Sequence, residues 1–261
     1  MVVQKIIIGK QGFIFNAIKS KFLDCGSFIF ISLDEIESIP SDFYGEFIIL
    51  SFPRVWFSRL GYDHEIELKI LKRFNVNNIN ITYLSTSKVY PDGQAITEEQ
   101  TLDPQSIYAE NKIMAELFIK DNFQNYRILR GSNFLSSAGG AQNSFFEILK
   151  KNFNQKKSFI FDITGKSLKD FVHVSFLIDF LYEAPFKKGI YNFSSGIGIS
   201  IFEIIDSLTL GNEINLKDLK IELGDITKSQ ILLNNKLIID HGIQRIKKEV
   251  IVDAIQRIKL K

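Results

Sequence analysis

The chain has 261 residues, of which 45% are hydrophobic and 24% are charged. This length is enough for one large domain with a buried core, or for one domain with a smaller lobe. The 32 Lys and Arg residues barely exceed the 30 Asp and Glu residues, so the net charge of +2 argues against nucleic acid as the main partner.

The composition excludes several further classes of protein. No apolar run approaches the ~20 residues of a membrane-spanning helix, and the first residues show no signal-peptide pattern. The single cysteine, Cys25, excludes an intrachain disulfide, and three scattered histidines argue against a metal site. We therefore expect a soluble, cytoplasmic protein with no metal and no membrane partner.

Up to about residue 133, apolar runs of strand length alternate with amphipathic stretches, which is typical of a parallel sheet covered by helices. The runs predicted as strands are residues 5–8, 28–31, 47–50, 79–84 and 126–129. The stretches predicted as helices are residues 13–22, 64–74 and 106–122. The expected fold class is therefore α/β, with a Rossmann-type doubly wound parallel sheet.

After residue 133 the elements become shorter and more mixed. The predicted helices are residues 143–153, 200–208 and 247–259, and the predicted short strands are residues 158–161, 171–173 and 191–193. We expect one domain over residues 1–133 and a smaller mixed α/β lobe over residues 134–261, with some segments of that lobe returning to the first sheet.

Gly9 and Gly12 lie where the first predicted strand turns into the first predicted helix. Two glycines at this spacing permit a tight turn and let backbone N–H groups approach a pyrophosphate, which the helix N-terminus also attracts. Asp34 ends the second strand, where a carboxylate can bind an adenosine ribose diol and repel a 2′-phosphate. The pattern predicts a dinucleotide site that favours NAD(H) without excluding NADP(H). Phe15 replaces the third glycine of the usual pattern and is expected to hold the helix further from the sheet.

Tyr108 and Lys112 are four residues apart in a predicted helix, so their side chains share a face. A tyrosine phenol has an ordinary pKa of ~10 and is a poor base at neutral pH, but a neighbouring ammonium favours the phenolate. Thr86, at the end of the fourth strand, is placed to share a hydrogen bond with a substrate oxygen. These three residues predict a site that moves a proton while a nicotinamide cofactor moves a hydride.

The ordered series of these motifs resembles the extended short-chain dehydrogenase/reductase family, which contains sugar-nucleotide epimerases, dehydratases and reductases. The resemblance covers nearly the whole chain. The residues that carry it are 9–12, 85–90, 98–99, 104, 108–112, 115–116, 130–133, 165, 169–174 and 189–193.

The resemblance implies a role for each matching residue. Thr86, Tyr108 and Lys112 match the catalytic Ser/Thr, Tyr and Lys. Ser87 and Asn133 are implied substrate contacts, Asn133 to the diphosphate of a nucleoside-diphosphate (NDP) sugar, and the lobe after residue 133 is the implied substrate-binding lobe. The predicted cofactor contacts are Gly9, Gln11, Gly12, Phe13, Ile14, Asp34, Ser51 and Lys112. A homodimer is a further possibility in this family.

The family's 4,6-dehydratases carry Asp-Glu directly after the catalytic threonine, whereas this chain has Ser87 and Lys88. A dehydratase is therefore disfavoured, and a 4-ketoreductase or a 4-epimerase of an NDP-hexose remains. The Gly-Lys-Gln-Gly turn and Ser175-Phe176, where Asp-Asp is usual, favour the reductase, with a role in deoxysugar or surface-polysaccharide precursor synthesis. The short segment between Asp34 and Phe47 indicates that the usual third strand is missing, and it motivates a second alternative, a catalytically silent dinucleotide-binding protein.

Overall fold

A computed structural model describes residues 4–8, 13–22, 28–32, 45–50, 79–136, 145–215 and 219–260, with residues 35, 38, 39, 68, 71, 72 and 217 between them. The chain divides into two units, each made from three segments of sequence. The first unit takes Met1–Pro91, Gln100–Gly131 and Ala184–Tyr191, and the second takes Asp92–Glu99, Ser132–Glu183 and Asn192–Lys261.

Thirteen strands and seven α-helices form within the described residues. The strands are β1 (Gln4–Ile8), β2 (Phe28–Ile31), β3 (Gly45–Ile49), β4 (Asn80–Thr86), β5 (Gly93–Ile96), β6 (Asn125–Gly131), β7 (Asn133–Leu135), β8 (Phe159–Phe161), β9 (Leu168–His173), β10 (Gly189–Phe193), β11 (Gly198–Ser200), β12 (Ile221–Leu223) and β13 (Gln230–Leu232). The helices are α1 (Phe13–Phe22), α2 (Ile107–Asn122), α3 (Phe145–Asn154), α4 (Val174–Glu183), α5 (Ile201–Gly211), α6 (Asn235–His241) and α7 (Lys248–Gln256). A short 3-10 helix covers Ser87–Val89.

The first unit is built on a six-stranded sheet with the order β10-β6-β4-β3-β1-β2. The pairs β1–β2, β1–β3, β3–β4 and β4–β6 are parallel, which confirms the predicted Rossmann-type α/β fold. No strand of the described residues pairs with the outer edge of β2, where the third strand of the usual fold would lie. This agrees with the short segment between Asp34 and Phe47.

The central strands of this sheet are buried, which is why their sequences are rich in apolar residues. All five residues of β3 are buried, as are the last six of β4, and buried parallel strands read as continuous apolar runs. The core packed around them consists of Ile6, Ile8, Ile31, Phe47, Ile49, Leu71, Ile79, Ile81, Tyr83, Ala115, Ile119, Phe123 and Ile128. Most of the helix predicted over residues 64–74 lies outside the described residues, although Lys72 N donates a helical hydrogen bond of 2.9 Å to Leu68 O.

Helix α1 has the predicted bounds and buries Phe15, Ile18 and Phe22, a spacing of three and four residues that places them on one face. Phe15 packs edge-on against Phe30 of β2, with ring centroids 5.2 Å apart. The aromatic side chain at the position of the missing third glycine is therefore part of the packing between α1 and β2.

Helix α2 begins one residue later than predicted because Ser106 is its N-cap, with Oγ accepting a 3.3 Å hydrogen bond from Ala109 N. The buried face of the helix includes two charged residues, Lys112 and Glu116, among alanines and Ile119. A charged side chain is rarely this buried without a partner, so both residues are expected to bind groups of the neighbouring strands.

The second unit contains one sheet with the order β11-β9-β13-β5, to which β7 adds beside β9, and a two-stranded sheet of β12 and β8. Its core joins residues of α3, α5 and α7 to the strands, for example Leu149, Ile204 and Ile255. The predicted helices of this lobe are found with ends shifted by one to three residues. Helices α4 and α6 and strands β5, β7, β11, β12 and β13 were not predicted. In the described part of the chain, no helix has the length and apolar character that crossing a membrane requires.

Candidate active site

Strands β2 and β3 both pair with β1, one on each side, so the chain changes direction across the sheet at β1 and β3. In open α/β sheets ligands bind beyond the carboxyl ends of the strands at such a switch point. Helix α1 follows the carboxyl end of β1 and begins at Phe13, so its N-terminus lies after that strand. A helix N-terminus at this place is where the phosphates of a dinucleotide are expected to bind.

Only two of the predicted cofactor contacts in this region can be placed. Phe13 and Ile14 are the first two residues of α1 and are half-buried. The other five, Gly9, Gln11, Gly12, Asp34 and Ser51, lie outside the described residues. Their contacts with a cofactor remain predictions, as does the preference for NAD(H) that depends on Asp34.

Thr86 is the last residue of β4, at the carboxyl end of the sheet. Its Oγ1 accepts a 3.3 Å hydrogen bond from Lys88 N, and it thereby caps the 3-10 helix that follows. Ser87, the first residue of that helix, is buried. This hydrogen bond holds the Thr86 side chain against the first turn of the 3-10 helix.

Tyr108 and Lys112 lie one turn apart on α2 but differ in their exposure to water. Tyr108 is 38% exposed, whereas Lys112 is 1% exposed. Lys112 Nζ donates a hydrogen bond of 3.3 Å to Leu84 O of β4 and lies 4.6 Å from the ring centroid of Tyr83. The same ammonium is 5.8 Å from the ring centroid of Tyr108. The structure thus brings a buried positive charge beside an accessible phenol, against the strand that ends in Thr86.

Asn133 belongs to the second unit, where it begins β7. Its Nδ2 donates a 2.9 Å hydrogen bond to Asp170 O of β9. Asp170 is fully buried and accepts hydrogen bonds from Ser195 N, Ser195 Oγ, Gly196 N and Leu232 N at 2.7 to 3.3 Å. Burial raises the pKa of Asp170 to about 6, although these hydrogen bonds act in the opposite direction.

A second charged group of the first unit was not predicted to have a role. Glu116, one turn after Lys112 on α2, forms an ion pair of 2.6 Å with Arg130 Nη2 of β6, and both side chains are nearly inaccessible to water. Burial opposes the charge of Arg130, but the hydrogen bonds and charges of Glu116 and Tyr90 prevail and raise its pKa. The signal available in the sequence is the four-residue spacing from Lys112, which places Glu116 on the same helix face.

Comparison with known proteins identifies the family. The family model for the NAD dependent epimerase/dehydratase family matches residues 55–189, slightly more than half of the chain. An ADP-L-glycero-D-manno-heptose-6-epimerase of Brachyspira hyodysenteriae is 26% identical over 145 residues, which cover 50% of this chain and 46% of that protein. The chain thus matches about half the length of this curated relative.

Solved structures share the fold over nearly the whole chain. TunA, an NAD dependent NDP-hexosamine 5,6-dehydratase involved in tunicamycin biosynthesis, is similar with a TM-score of 0.77 and 17% identity, over 99% of this chain and 96% of that chain. RMD from Pseudomonas aeruginosa, complexed with NADPH, has a TM-score of 0.75 and 16% identity, over 98% of this chain and 97% of that chain. Given the match over residues 55–189, the chain belongs to the NAD dependent epimerase/dehydratase family and is an extended short-chain dehydrogenase/reductase.

Proposed function

We propose that the protein is an NAD(P)-dependent 4-ketoreductase of an NDP-hexose. The observation that carries the proposal is the buried ammonium of Lys112, which lies beside the accessible phenol of Tyr108 and is held by the strand that ends in Thr86. A lysine that is 1% exposed keeps its charge only where neighbouring groups stabilise it. Such a charge has a clear use if it stabilises the phenolate that forms when Tyr108 gives up a proton.

In the proposed reaction the C4 carbonyl of the sugar gains a hydride at carbon and a proton at oxygen. A bound nicotinamide cofactor would supply the hydride. Tyr108 donates the proton to O4, and Lys112 stabilises the resulting phenolate. The hydroxyl of Thr86 donates a hydrogen bond to O4 and holds it near Tyr108. Reprotonation of Tyr108 from water completes the cycle.

Two residues beside Thr86 argue against the dehydratases of the family. Removal of water from the sugar needs an acid and a base at the reacting carbons, and the positions directly after Thr86 are held by Ser87 and Lys88, of which Ser87 is buried and Lys88 is exposed. A 4-epimerase that retains its NAD is the alternative, since the same three residues serve both directions of hydride transfer.

The proposed cofactor and substrate contacts are those expected from the sequence. We propose that NAD(H) is preferred because Asp34 would repel a 2′-phosphate, and that residues 1–133 bind the cofactor while residues 134–261 mainly bind the NDP-sugar. Asn133, held by its hydrogen bond to Asp170 O, is proposed to bind the sugar-nucleotide diphosphate, and Ser87 to contact the sugar. NADPH remains a competing cofactor, as in the complex of RMD.

The experiment that tests the function is incubation with a panel of NDP-4-keto-6-deoxyhexoses and NDP-hexoses, each with and without NADH or NADPH. Consumption of the reduced cofactor with a 4-keto substrate is the expected result. Formation of an isomer without consumption would instead support the 4-epimerase. Tyr108→Phe should bind NADH like the wild type but turn over at least about 100-fold more slowly, and full turnover by that variant would contradict the assigned role.

A catalytically silent protein would bind NADH without turnover of any sugar of the panel. This outcome would refute the reductase and the epimerase together. Titration of the purified protein with NADH and NADPH, followed by nicotinamide fluorescence, makes the distinction, because binding without turnover separates a silent protein from one that binds no dinucleotide at all.

A further inference from the structure

Glu116 connects the helix that carries Tyr108 and Lys112 to the two strands beside it. The hydroxyl of Ser85, the residue directly before Thr86 in β4, donates a hydrogen bond to Glu116 Oε1. From β6, Arg130 Nε donates to both carboxylate oxygens at 3.2 and 3.1 Å, and Nη2 donates to Oε2 at 2.6 Å. One carboxylate therefore ties α2 to β4 and β6 together.

The other side of the Arg130 guanidinium faces the segment that follows Thr86. Arg130 Nη1 donates a 2.7 Å hydrogen bond to Tyr90 OH, and the guanidinium carbon lies 4.9 Å from the Tyr90 ring centroid. Tyr90 N in turn donates to Ser87 O at 3.1 Å, which closes the 3-10 helix. Ser85 and Arg130 are also direct partners in the β4–β6 register. The network thus contacts the chain on both sides of Thr86.

We propose that Glu116 and Arg130 are positioning residues that fix α2 against β4, so that Lys112 stays beside Tyr108 and both stay in place relative to Thr86. The proposal rests on the proposed function, in which Tyr108 is the proton donor. Glu116 is one turn from Lys112, and Lys112 Nζ is itself bonded to β4 at Leu84 O. A shift of α2 along β4 would strain both attachments.

Stability alone is a poor explanation for this ion pair. Two buried charges lose much of their hydration, and apolar residues of the same size often stabilise a fold equally well. The described part of the sheet contains a second pair of the same kind, in which Arg127 Nη2 lies 2.6 Å from Glu46 Oε1. Arg127 and Glu46 lie near the amino ends of their strands, at the end of the sheet away from Thr86, and Arg127 also donates to Thr82 and to Pro185 O. This second pair provides a matched control.

The test compares Glu116→Gln with Glu46→Gln in the full chain. Each substitution keeps the size of the side chain and leaves a buried arginine without its ion pair, so both should lower the thermal midpoint. We expect E116Q to lower kcat about 10-fold or more while the KM for NADH stays within about 2-fold, because misplacement affects chemistry more than binding. E46Q should keep kcat. Equal losses of kcat in the two variants, or an unchanged kcat in E116Q, would overturn the proposal.

The pH profile of kcat separates positioning from the loss of a charge alone, because the two effects move its midpoint in opposite directions. Loss of the negative charge of Glu116 acts directly to favour the phenolate of Tyr108 and would shift the midpoint of the profile to lower pH. Displacement of Lys112 acts in the opposite direction. Lys112 is one turn from Tyr108, whereas Glu116 is two turns away and paired with Arg130, so positioning predicts a net shift to higher pH. A shift to lower pH, or no shift, would contradict the proposal.

Tyr90→Phe keeps the test decisive if E116Q fails to fold, because it removes only the hydroxyl bonded to Arg130. Y90F should shift the midpoint of the pH profile to higher pH by a smaller amount than E116Q, and an unshifted pH midpoint would count against the network.

The pH midpoint of Tyr108 is also measured without turnover, from the ultraviolet absorbance of the phenolate after subtraction of the matching Y108F protein. If no sugar of the panel is turned over but E116Q moves this midpoint upward, the positioning role stands and the proposed reductase fails.

Discussion

Lys112 holds a positive charge where water hardly reaches it. Its side chain is 1% exposed, its ammonium is bonded to Leu84 O, and it lies over the ring of Tyr83. An apolar residue of similar length would pack into this space without any cost of burying a charge. A buried charge at this position is costly for the fold, which agrees with the proposed role of Lys112 in the reaction.

We predict that Lys112→Met lowers kcat at least about 100-fold because it removes the charge that stabilises the phenolate. The thermal midpoint should change little, because the lost hydrogen bond to Leu84 O is offset by the relief from burying a charge. Lys120→Met is the control, since Lys120 is an exposed lysine of the same helix and its variant should keep the wild-type kcat. Steady-state kinetics and thermal unfolding of the three proteins make the comparison. A K112M variant that retained its kcat would remove Lys112 from the mechanism.

Asp170 has a pH-dependent effect on stability. Burial raises its pKa from 3.8 to about 6, so the folded protein holds this proton more tightly than the unfolded chain. Its contribution to stability is therefore fully present below the unfolded value and is lost as the pH rises through about 6.

We predict that the free energy of unfolding of the wild type, relative to Asp170→Asn, falls by about 2 kcal/mol between about pH 4 and about pH 7, because the variant has no carboxyl group that can release a proton. Urea unfolding at a series of pH values measures the difference. Asp253→Asn is the control, because Asp253 lies on the exposed side of α7. A difference between wild type and D170N that stays constant with pH would refute the prediction.

At the level of residues, the sequence predicts what local spacing determines. Tyr108 and Lys112 are proposed as a pair from a four-residue interval, and Thr86 from its place at the end of an apolar run. The partners of Glu116 could not be found in this way, because Ser85 and Arg130 come from two other strands and meet it only when the sheet forms. The cluster around Asp170 could not be predicted for the same reason, since its hydrogen-bond donors lie 25 to 62 residues away in sequence.

Helix α5 illustrates how an element of the second unit is fixed at its start. Ser200 Oγ accepts a 3.1 Å hydrogen bond from Glu203 N, and Glu203 Oε2 accepts one of 2.9 Å from Ser200 N. This reciprocal arrangement is a capping box, which satisfies two backbone donors that a helix start leaves open. Ile204 and Leu208 of the helix are fully buried in the core of the unit.

We predict that Ser200→Ala lowers the free energy of unfolding by about 1 kcal/mol, because Glu203 N loses its acceptor. Lys247→Ala is the matched control, since Lys247 is the N-cap of α7 but makes no capping hydrogen bond with its side chain. Its effect should stay within about 0.5 kcal/mol. Urea unfolding monitored by far-ultraviolet circular dichroism compares them, and equal effects of both changes would argue against the cap.

The elements themselves were predictable to different extents in the two units. The strands of the first sheet are four to seven residues long and contain buried apolar residues, so each produces a visible run. Strands β7, β11, β12 and β13 have three residues each, too few to show an alternating pattern. Strand β5, with the sequence Gly-Gln-Ala-Ile, has little apolar character and is defined by its pairing with β13.

The first unit depends on a segment that comes late in the sequence. Residues 184–191 belong to it, and they supply the Pro185 carbonyl that accepts a 3.5 Å hydrogen bond from Arg127 and the Phe186 ring 5.3 Å from its guanidinium carbon. Strand β10 pairs with β6 at the edge of the sheet. Burial lowers the pKa of Arg127 despite its pairing with Glu46, which reflects how deeply this segment and the sheet enclose the charge.

We predict that a fragment of residues 1–133 does not fold cooperatively, although it contains most of the sheet. Without residues 184–191, Arg127 would keep its charge near an uncovered apolar surface, and β6 would become an unpaired edge. Urea unfolding of the fragment, followed by tyrosine fluorescence, should show no sigmoidal transition, whereas the full chain should show one. A cooperative transition in the fragment would mean that the late segment is dispensable.

The division of each unit among three segments also determines the order in which the protein becomes complete during synthesis. Strands β1 to β6 leave the ribosome first, but β6 remains an open edge until β10 has been made. In the same way, β5 cannot pair until β13 has been synthesised, more than a hundred residues later. Pairings this distant in sequence form slowly and leave strand edges available to other chains. Open strand edges therefore persist during translation until residue 232 has emerged, and we expect the chain to be most prone to aggregation in that interval.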